Sequence, residues 1–256
     1  VSAELLADRF ASTGPALTTA ERAAADRTWT YGHVVVDEAQ ELSPMAWRMV
    51  LRRVPTRSLT VVGDVAQTST AAGTRDWAAT FDRALPGGWR LAELTVNYRT
   101  PASVARTAER VGRAAGLPLS PTTSARDVED ALRTEHVDAA AVPEAVARHA
   151  AEALAAVRDA SGAGRVAVIA APEAVAALAA VLPDAGGTRA GSPDLDAPLT
   201  LMTPTQSKGL EFDVVVLVEP ADVLKGGAGD LYVAMTRPTQ ALHVVHARPL
   251  PAGWDA

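Results

Sequence analysis

Cysteine is absent from all 256 residues, which excludes disulfides, thiolate zinc sites and a cysteine nucleophile together and is compatible with a reducing cytoplasm. No apolar run approaches the roughly 18 residues that mark a membrane span. Aromatic residues make up only 4% of the chain, so a ladder of base-stacking platforms is hard to build. Lysine is nearly missing too: apart from Lys208 and Lys225, every basic side chain is an arginine. The net charge of −6 excludes a surface that grips nucleic acid everywhere, while leaving room for a local basic groove. A G-x-S-x-G nucleophile elbow is absent, and His33, His136, His149, His243 and His246 have no spacing suited to a metal. The opening "VSAELLADRF" lacks an initiator Met, a basic n-region and a small-residue cleavage site, so it reads as a helix from within a longer chain.

What is there is 48% hydrophobic and alternates between strand-like and helix-like patterns, the mark of an α/β fold with a parallel sheet covered by helices. Strands are expected over 33–36, 59–62, 91–96, 165–170, 199–203, 214–218 and 242–246. Several are uninterrupted Val/Ile/Leu runs, as where both faces are buried. Helices are expected over 44–53, 101–115, 143–160 and 172–182, several opening on a proline, whose missing N–H costs nothing at the first helical position. The Pro/Ser/Thr-rich stretch 116–127 reads as a linker or surface loop. A domain boundary is expected near 96–100.

Five stretches carry candidate chemistry. "HVVVDEAQELS" (33–43) is an apolar run that stops on Asp37 and Glu38. In an open parallel sheet, ligands sit beyond the carboxyl ends of the strands. A carboxylate there can hold Mg²⁺, and its neighbour can polarise a water for attack on a phosphoryl group. The plainer reading, a helix cap and a solvated glutamate, is equally good for this stretch alone. "LTVVGDVAQTS" (59–69) places Gln67 just past a strand, where a neutral amide can read a terminal phosphate, although Gly-Asp is also ordinary turn chemistry. "ELTVNYRTP" (93–101) sets Arg99 between a strand and a proline-started helix, placed for a phosphate clamp or as a simple surface charge. "LMTPTQSKGLEFDVVVLVEP" (201–220) holds Gly209 and Glu211 in a polar turn between strands. "LYVAMTRPTQALHVV" (231–245) reads as a helix with Arg237 near its end, then a final strand. Trp29, Trp47, Trp77 and Trp89 read as packing residues.

Taken in order, the stretches resemble the motifs of the UvrD/Rep branch of superfamily 1 helicases over about 33–248. "VVVDEAQ" is similar to the Walker B motif, "VVGDVAQ" to the third, "LTVNYRTP" to the fourth, "TQSKGLEFDVVV" to the fifth and "YVAMTRP" to the sixth. The wording is nearest to HelD-like proteins, ATPases that the family associates with RNA polymerase. The resemblance implies P-loop NTPase-type, RecA-like units: a partial one over 1–96 and a near-complete one over 97–256. It implies ATP and Mg²⁺ as cofactors, with Asp37 on the metal and Glu38 as the base for the attacking water. Gln67 would sense the γ-phosphate, Arg99 and Arg237 would meet the transition-state charge, and Glu211 would bind the ribose, with Gly209 giving the backbone room.

Two departures shape what is expected of the chain itself. A Gly-Lys-Ser/Thr phosphate loop occurs nowhere in it, and in the family that loop lies well upstream of the Walker B strand. Half of an ATPase site is therefore expected, needing the missing P-loop region for turnover. After the third motif no aromatic follows until Trp77, and Thr205 and Gln206 stand where the fifth motif usually faces a nucleic-acid strand. Three functions remain: a HelD-like ATPase acting on RNA polymerase, a single-stranded DNA translocase, or a helicase-like binding module without nucleotide chemistry.

Overall fold

The structure, a computed structural model, describes residues 30–85, 88–161, 164–182 and 197–254. Trp29 and the helix expected at the N-terminus lie outside them. The first strand, β1 (Val34–Val36), pairs in parallel with β2 (Leu59–Val61), Val34 opposite Leu59 and Val36 opposite Val61. Parallel neighbours need a crossover, and α1 (Pro44–Arg53) lies within it. The Ser43 hydroxyl accepts the Ala46 N–H at 3.2 Å and Pro44 fills the first turn, so capping fixes where this helix begins. Asp76 does the same for α2 (Trp77–Ala84), accepting the Ala79 N–H at 3.1 Å. Packed around Phe81 are Trp47, edge-on at 4.9 Å, and Trp77 and Trp89, each at 5.9 Å. These aromatics join Ala39, Val36 and Val61 in a small core.

Beyond it, β3 (Val96–Asn97) and β4 (Thr123–Ser124) form a second short parallel pair, with α3 (Ala102–Ala114) between them in the chain. The strand expected over 91–96 shrinks to Val96–Asn97. Leu91 is 54% and Leu94 86% exposed, so apolar composition there is not matched by a ladder or a core to hold it. The stretch 116–127 is not purely a loop, since it contains β4.

The main sheet has five parallel strands. They are β5 (Leu132–His136), β6 (Val166–Ile169), β7 (Leu199–Met202), β8 (Phe212–Val218) and β9 (Pro238–His246), in spatial order β5-β9-β8-β6-β7. Connecting helices are α4 (Val142–Ser161), α5 (Pro172–Val181), α6 (Pro220–Gly226) and α7 (Ala228–Met235). Side chains alternate between faces along each strand: Val166, Val168, Val214 and Val216 pack with Val146 and Val157 of α4. Ala167, Ile169, Val215 and Leu217 pack with Val104 and Val111 of α3 and with Leu231 and Met235 of α7. Both faces are buried, which is why these strands read as continuous apolar runs. The α/β class with parallel sheets expected from the sequence is the one observed.

One local expectation needs correcting. Arg237 is not in a helix: α7 ends at Met235, and Arg237 lies in the link to β9. Pro238 explains the break, because a proline disfavours helical backbone in the residue before it.

Candidate functional site

The tip of β1 bends sharply. Glu38 adopts φ +48°, ψ 37°, the left-handed region that a side chain with a Cβ disfavours, and its N–H donates to Asp37 Oδ1 at 2.8 Å. The bend leaves both carboxylates exposed at the strand's carboxyl end. From there a chain of hydrogen bonds runs inward. Gln40 Nε2 donates to Glu38 Oε2 at 2.7 Å, and Gln40 Oε1 accepts the Asp64 N–H at 3.1 Å. Asp64 Oδ2 accepts from Gln67 Nε2 at 2.9 Å, and Gln67 Oε1 accepts from Arg237 Nη2 at 2.9 Å. Each glutamine amide has its nitrogen on a carboxylate and its oxygen on a donor, so both orientations are fixed by their partners.

Arg237 is 2% exposed. Its Nε donates to Val233 O at 3.2 Å and its Nη1 to Leu210 O at 3.4 Å. Burial and the neighbouring Arg99 charge pull its guanidinium down to about 10, against the opposing pull of Glu38 and Glu211. Both arginines and both glutamates thus share one electrostatic neighbourhood. Arg99 Nη1 pairs with Glu211 Oε1 at 2.9 Å, while Arg99 Nε is buried without a hydrogen-bond partner. Gly209 has φ +68°, and a Cβ built on it would come within 3.9 Å of Glu38 Oε1, which places the turn before Glu211 beside the acidic tip.

A second bridge runs parallel to the first. Lys208 Nζ donates to Glu41 Oε1 at 2.6 Å and to Gln67 O at 2.8 Å. Burial pushes the Glu41 carboxyl up, but Lys208 and the Ser69 N–H outweigh it and hold the group below its usual range. Close backbone packing reinforces the contact: a Cβ on Gly229 of α7 would lie 2.9 Å from Thr68 O and 3.1 Å from Ala66 O.

The structure therefore brings Asp37, Glu38, Gln67, Arg99, Gly209, Glu211 and Arg237 into one region. Thr205 and Gln206 lie just before Lys208 and Gly209 in the chain. They belong to a single turn, in which Gln206 Oε1 accepts the Thr203 N–H at 2.9 Å. Sequence reasoning passed over Gln40, Asp64, Glu41 and Lys208. The available signals were Gln40 closing the "DEAQ" string, Asp64 in "GDVAQ", and Lys208 as one of two lysines among arginines.

The donor set can be matched to a ligand. Among the described residues no group of three or more His, Cys, Asp or Glu side chains is placed to hold a metal ion. Two adjacent exposed carboxylates suit Mg²⁺, which is commonly held by one or two carboxylates plus phosphate oxygens and water. The orphaned Arg99 Nε suits an anionic oxygen, since a buried donor left unpaired is costly.

No family model and no curated protein matches the chain. Among solved structures, the C-terminal domain of a possible DNA helicase from Lactobacillus plantarum WCFS1 is similar with a TM-score of 0.44 and 16% identity, over 62% of this chain and 92% of that one. The PRRSV helicase is similar with a TM-score of 0.47 and 16% identity, over 85% of this chain. The matched region makes up 37% of that helicase's length.

Proposed function

We propose that the chain is the Walker B and arginine-bearing part of a UvrD/Rep-type superfamily 1 ATPase of the HelD-like kind, with residues 1–96 and 97–256 as two RecA-like units around one nucleotide cleft. The observation that carries this reading is the continuous relay from Glu38 through Gln40, Asp64 and Gln67 to Arg237. A relay of that kind ties the group that would activate water to the group that would meet developing charge. In this reading Asp37 holds Mg²⁺ and Glu38 takes the proton of the attacking water. Gln67 reads the terminal phosphate, while Arg99 and Arg237 stabilise the transferring charge, a role worth about 10³ to 10⁵ in rate where it has been measured. Glu211 meets the ribose beside Gly209. ATP with Mg²⁺ supplies the phosphoryl group; the chain positions and polarises.

RNA polymerase is the favoured partner over a tracked single strand. The first aromatic after the third motif, Trp77, is half-buried and stacked on Phe81. The test is binding of a fluorescent ATP analogue with Mg²⁺ titrated in. The chain alone binds weakly with Mg²⁺ dependence that Asp37→Asn removes, and shows no turnover above background, since it has no Gly-Lys-Ser/Thr loop. Robust turnover abolished by Glu38→Gln would overturn the half-site reading, and nucleotide binding indifferent to Mg²⁺ would overturn the role of Asp37. Co-purification with DNA but not RNA polymerase would remove the HelD-like assignment.

A further inference from the structure

Away from the acidic tip, the solvent-facing side of α1 carries two kinds of side chain that its packing does not use. Met45 is 61% and Met49 63% exposed, four residues apart on one helix face. Arg48 and Arg52 each follow one of these methionines by three residues, so the four side chains form one continuous patch about two turns long. The patch borders a groove of about 820 Å³ between α1 and α2, whose rim adds Arg57, Arg75 and Arg83. All five arginines are exposed, and among the described residues none is in an ion pair. The single carboxylate lining the groove, Asp76, is occupied in capping α2. Residues 44–85 contain six arginines against three aspartates and no glutamate or lysine, in a chain whose net charge is −6.

Neither feature serves the fold. Like charges one turn apart on a helix repel, and α1 has no acidic residue to offset Arg48 and Arg52. The buried contacts of α1 come from Trp47 and Leu51, only 3% and 8% exposed, which leaves Met45 and Met49 in water. Methionine is unbranched and polarizable, and it suits a surface that moulds itself to a partner.

We propose that this face of α1, with the groove beside it, docks an acidic amphipathic helix of a protein partner. Charge complementarity and spacing select that occupant. A helix with carboxylates one turn apart meets Arg48 and Arg52 in register, and guanidinium forks pair with carboxylates in a fixed geometry. Apolar side chains in its neighbouring row cover Met45 and Met49, as amphipathic helices do when they lie in a groove. A plain polyanion would leave both methionines in water and gain nothing from them. A nucleic-acid strand would also find no ring to stack on, because the one aromatic lining the groove, Trp47, is buried. The inference rests neither on the nucleotide-site reading nor on RNA polymerase as partner, and each can fail alone.

The experiment is fluorescence anisotropy of the whole chain with a labelled helical peptide of repeated Leu-Glu-Ala-Ala units, using polyglutamate and oligo-dT as unlabelled competitors. Binding is expected to weaken with added salt, and neither competitor should match the unlabelled peptide. Met45→Gln/Met49→Gln should weaken binding about tenfold through lost apolar contact. Arg48→Gln/Arg52→Gln/Arg83→Gln should weaken it at least about fivefold at low salt and flatten the salt dependence. A control with Arg106→Gln, Arg133→Gln and Arg165→Gln, outside the groove, should bind as the parent does. If circular dichroism shows a combined variant unfolded, its single variants carry the test, each weakening binding about twofold to threefold. No peptide binding, equal weakening in the control, unchanged binding in the methionine or the arginine variants, or competition by polyglutamate or oligo-dT as effective as the unlabelled peptide would each overturn the proposal.

Discussion

The Gln40 side chain is 1% exposed and engaged at both ends, giving its amide nitrogen to Glu38 and its oxygen to the Asp64 N–H. Gln40→Leu keeps the volume and leaves the Asp64 N–H without an acceptor, and an unsatisfied buried group of this kind costs about 1–3 kcal/mol. A urea melt should show that loss, while the neighbouring exposed change Thr70→Ala leaves the midpoint nearly unmoved. At this scale the sequence was legible where chemistry is carried by residue type at a strand end. Asp37, Glu38, Gln67 and Arg99 stand out that way while Arg237 is read from a helix end, and the structure brings all five to one region. Gln40, Asp64 and Lys208 do not, because what they do depends on residues between 24 and 167 positions away meeting them. No local spacing encodes such a meeting.

Among elements, α7 packs its backbone closely on the Val65–Gln67 turn and on Thr68 after it. A helical Gly→Ala change ordinarily gains about 1 kcal/mol in propensity. At Gly229 the new Cβ would press on two carbonyl oxygens at 2.9 and 3.1 Å, and backbone cannot swing aside as a side chain can. Overpacking costs about 1–3 kcal/mol, so Gly229→Ala is expected to lower the melting temperature, and Gly229→Val to lower it further; a rise on Gly229→Ala would show that the helix is free to shift. The same scale shows what apolar pattern can and cannot reveal. The buried strands β6 to β8 declare themselves as Val/Ile/Leu runs, and α1, α3, α4 and α5 fall within a residue or two of expectation. The edge strand β5, reading "LRTEH", did not, because most of its side chains lie at the surface, where charge is tolerated. The strand expected over 91–96 fails for the converse reason, being apolar without a partner along most of its length.

For the molecule as a whole, the histidines that join α4 to the main sheet are expected to make stability acid-sensitive. His149 Nδ1 lies 3.3 Å from His243 Nδ1, and its Nε2 bonds to Glu135. Burial first, then the His149 charge, pulls His243 from 6.5 to about 4. The unfolded chain therefore binds more protons than the folded one between those two values. Stability from this residue is full above pH 6.5 and falls as pH drops toward 4, by about 3 kcal/mol across the window. Glu135 acts in the same direction: its hydrogen bonds from Arg148 and His149 hold its carboxyl below the usual range, and that contribution is lost as the group protonates. Urea melts from pH 7 to pH 4 should show the decline, and His243→Gln should flatten it; an unchanged profile would put the acid response elsewhere. The grip of Arg99 on Glu211 has an outcome of another sort. An anion that takes the Nη1 of that guanidinium must trade places with a carboxylate already there, as in an ion exchanger, whereas the unpaired Nε can be taken without a trade. The Glu211 side chain is 56% exposed, so water readily receives it and the trade costs at most about 1 kcal/mol. A dianion gains more than a monoanion from the same guanidinium and competes better for it.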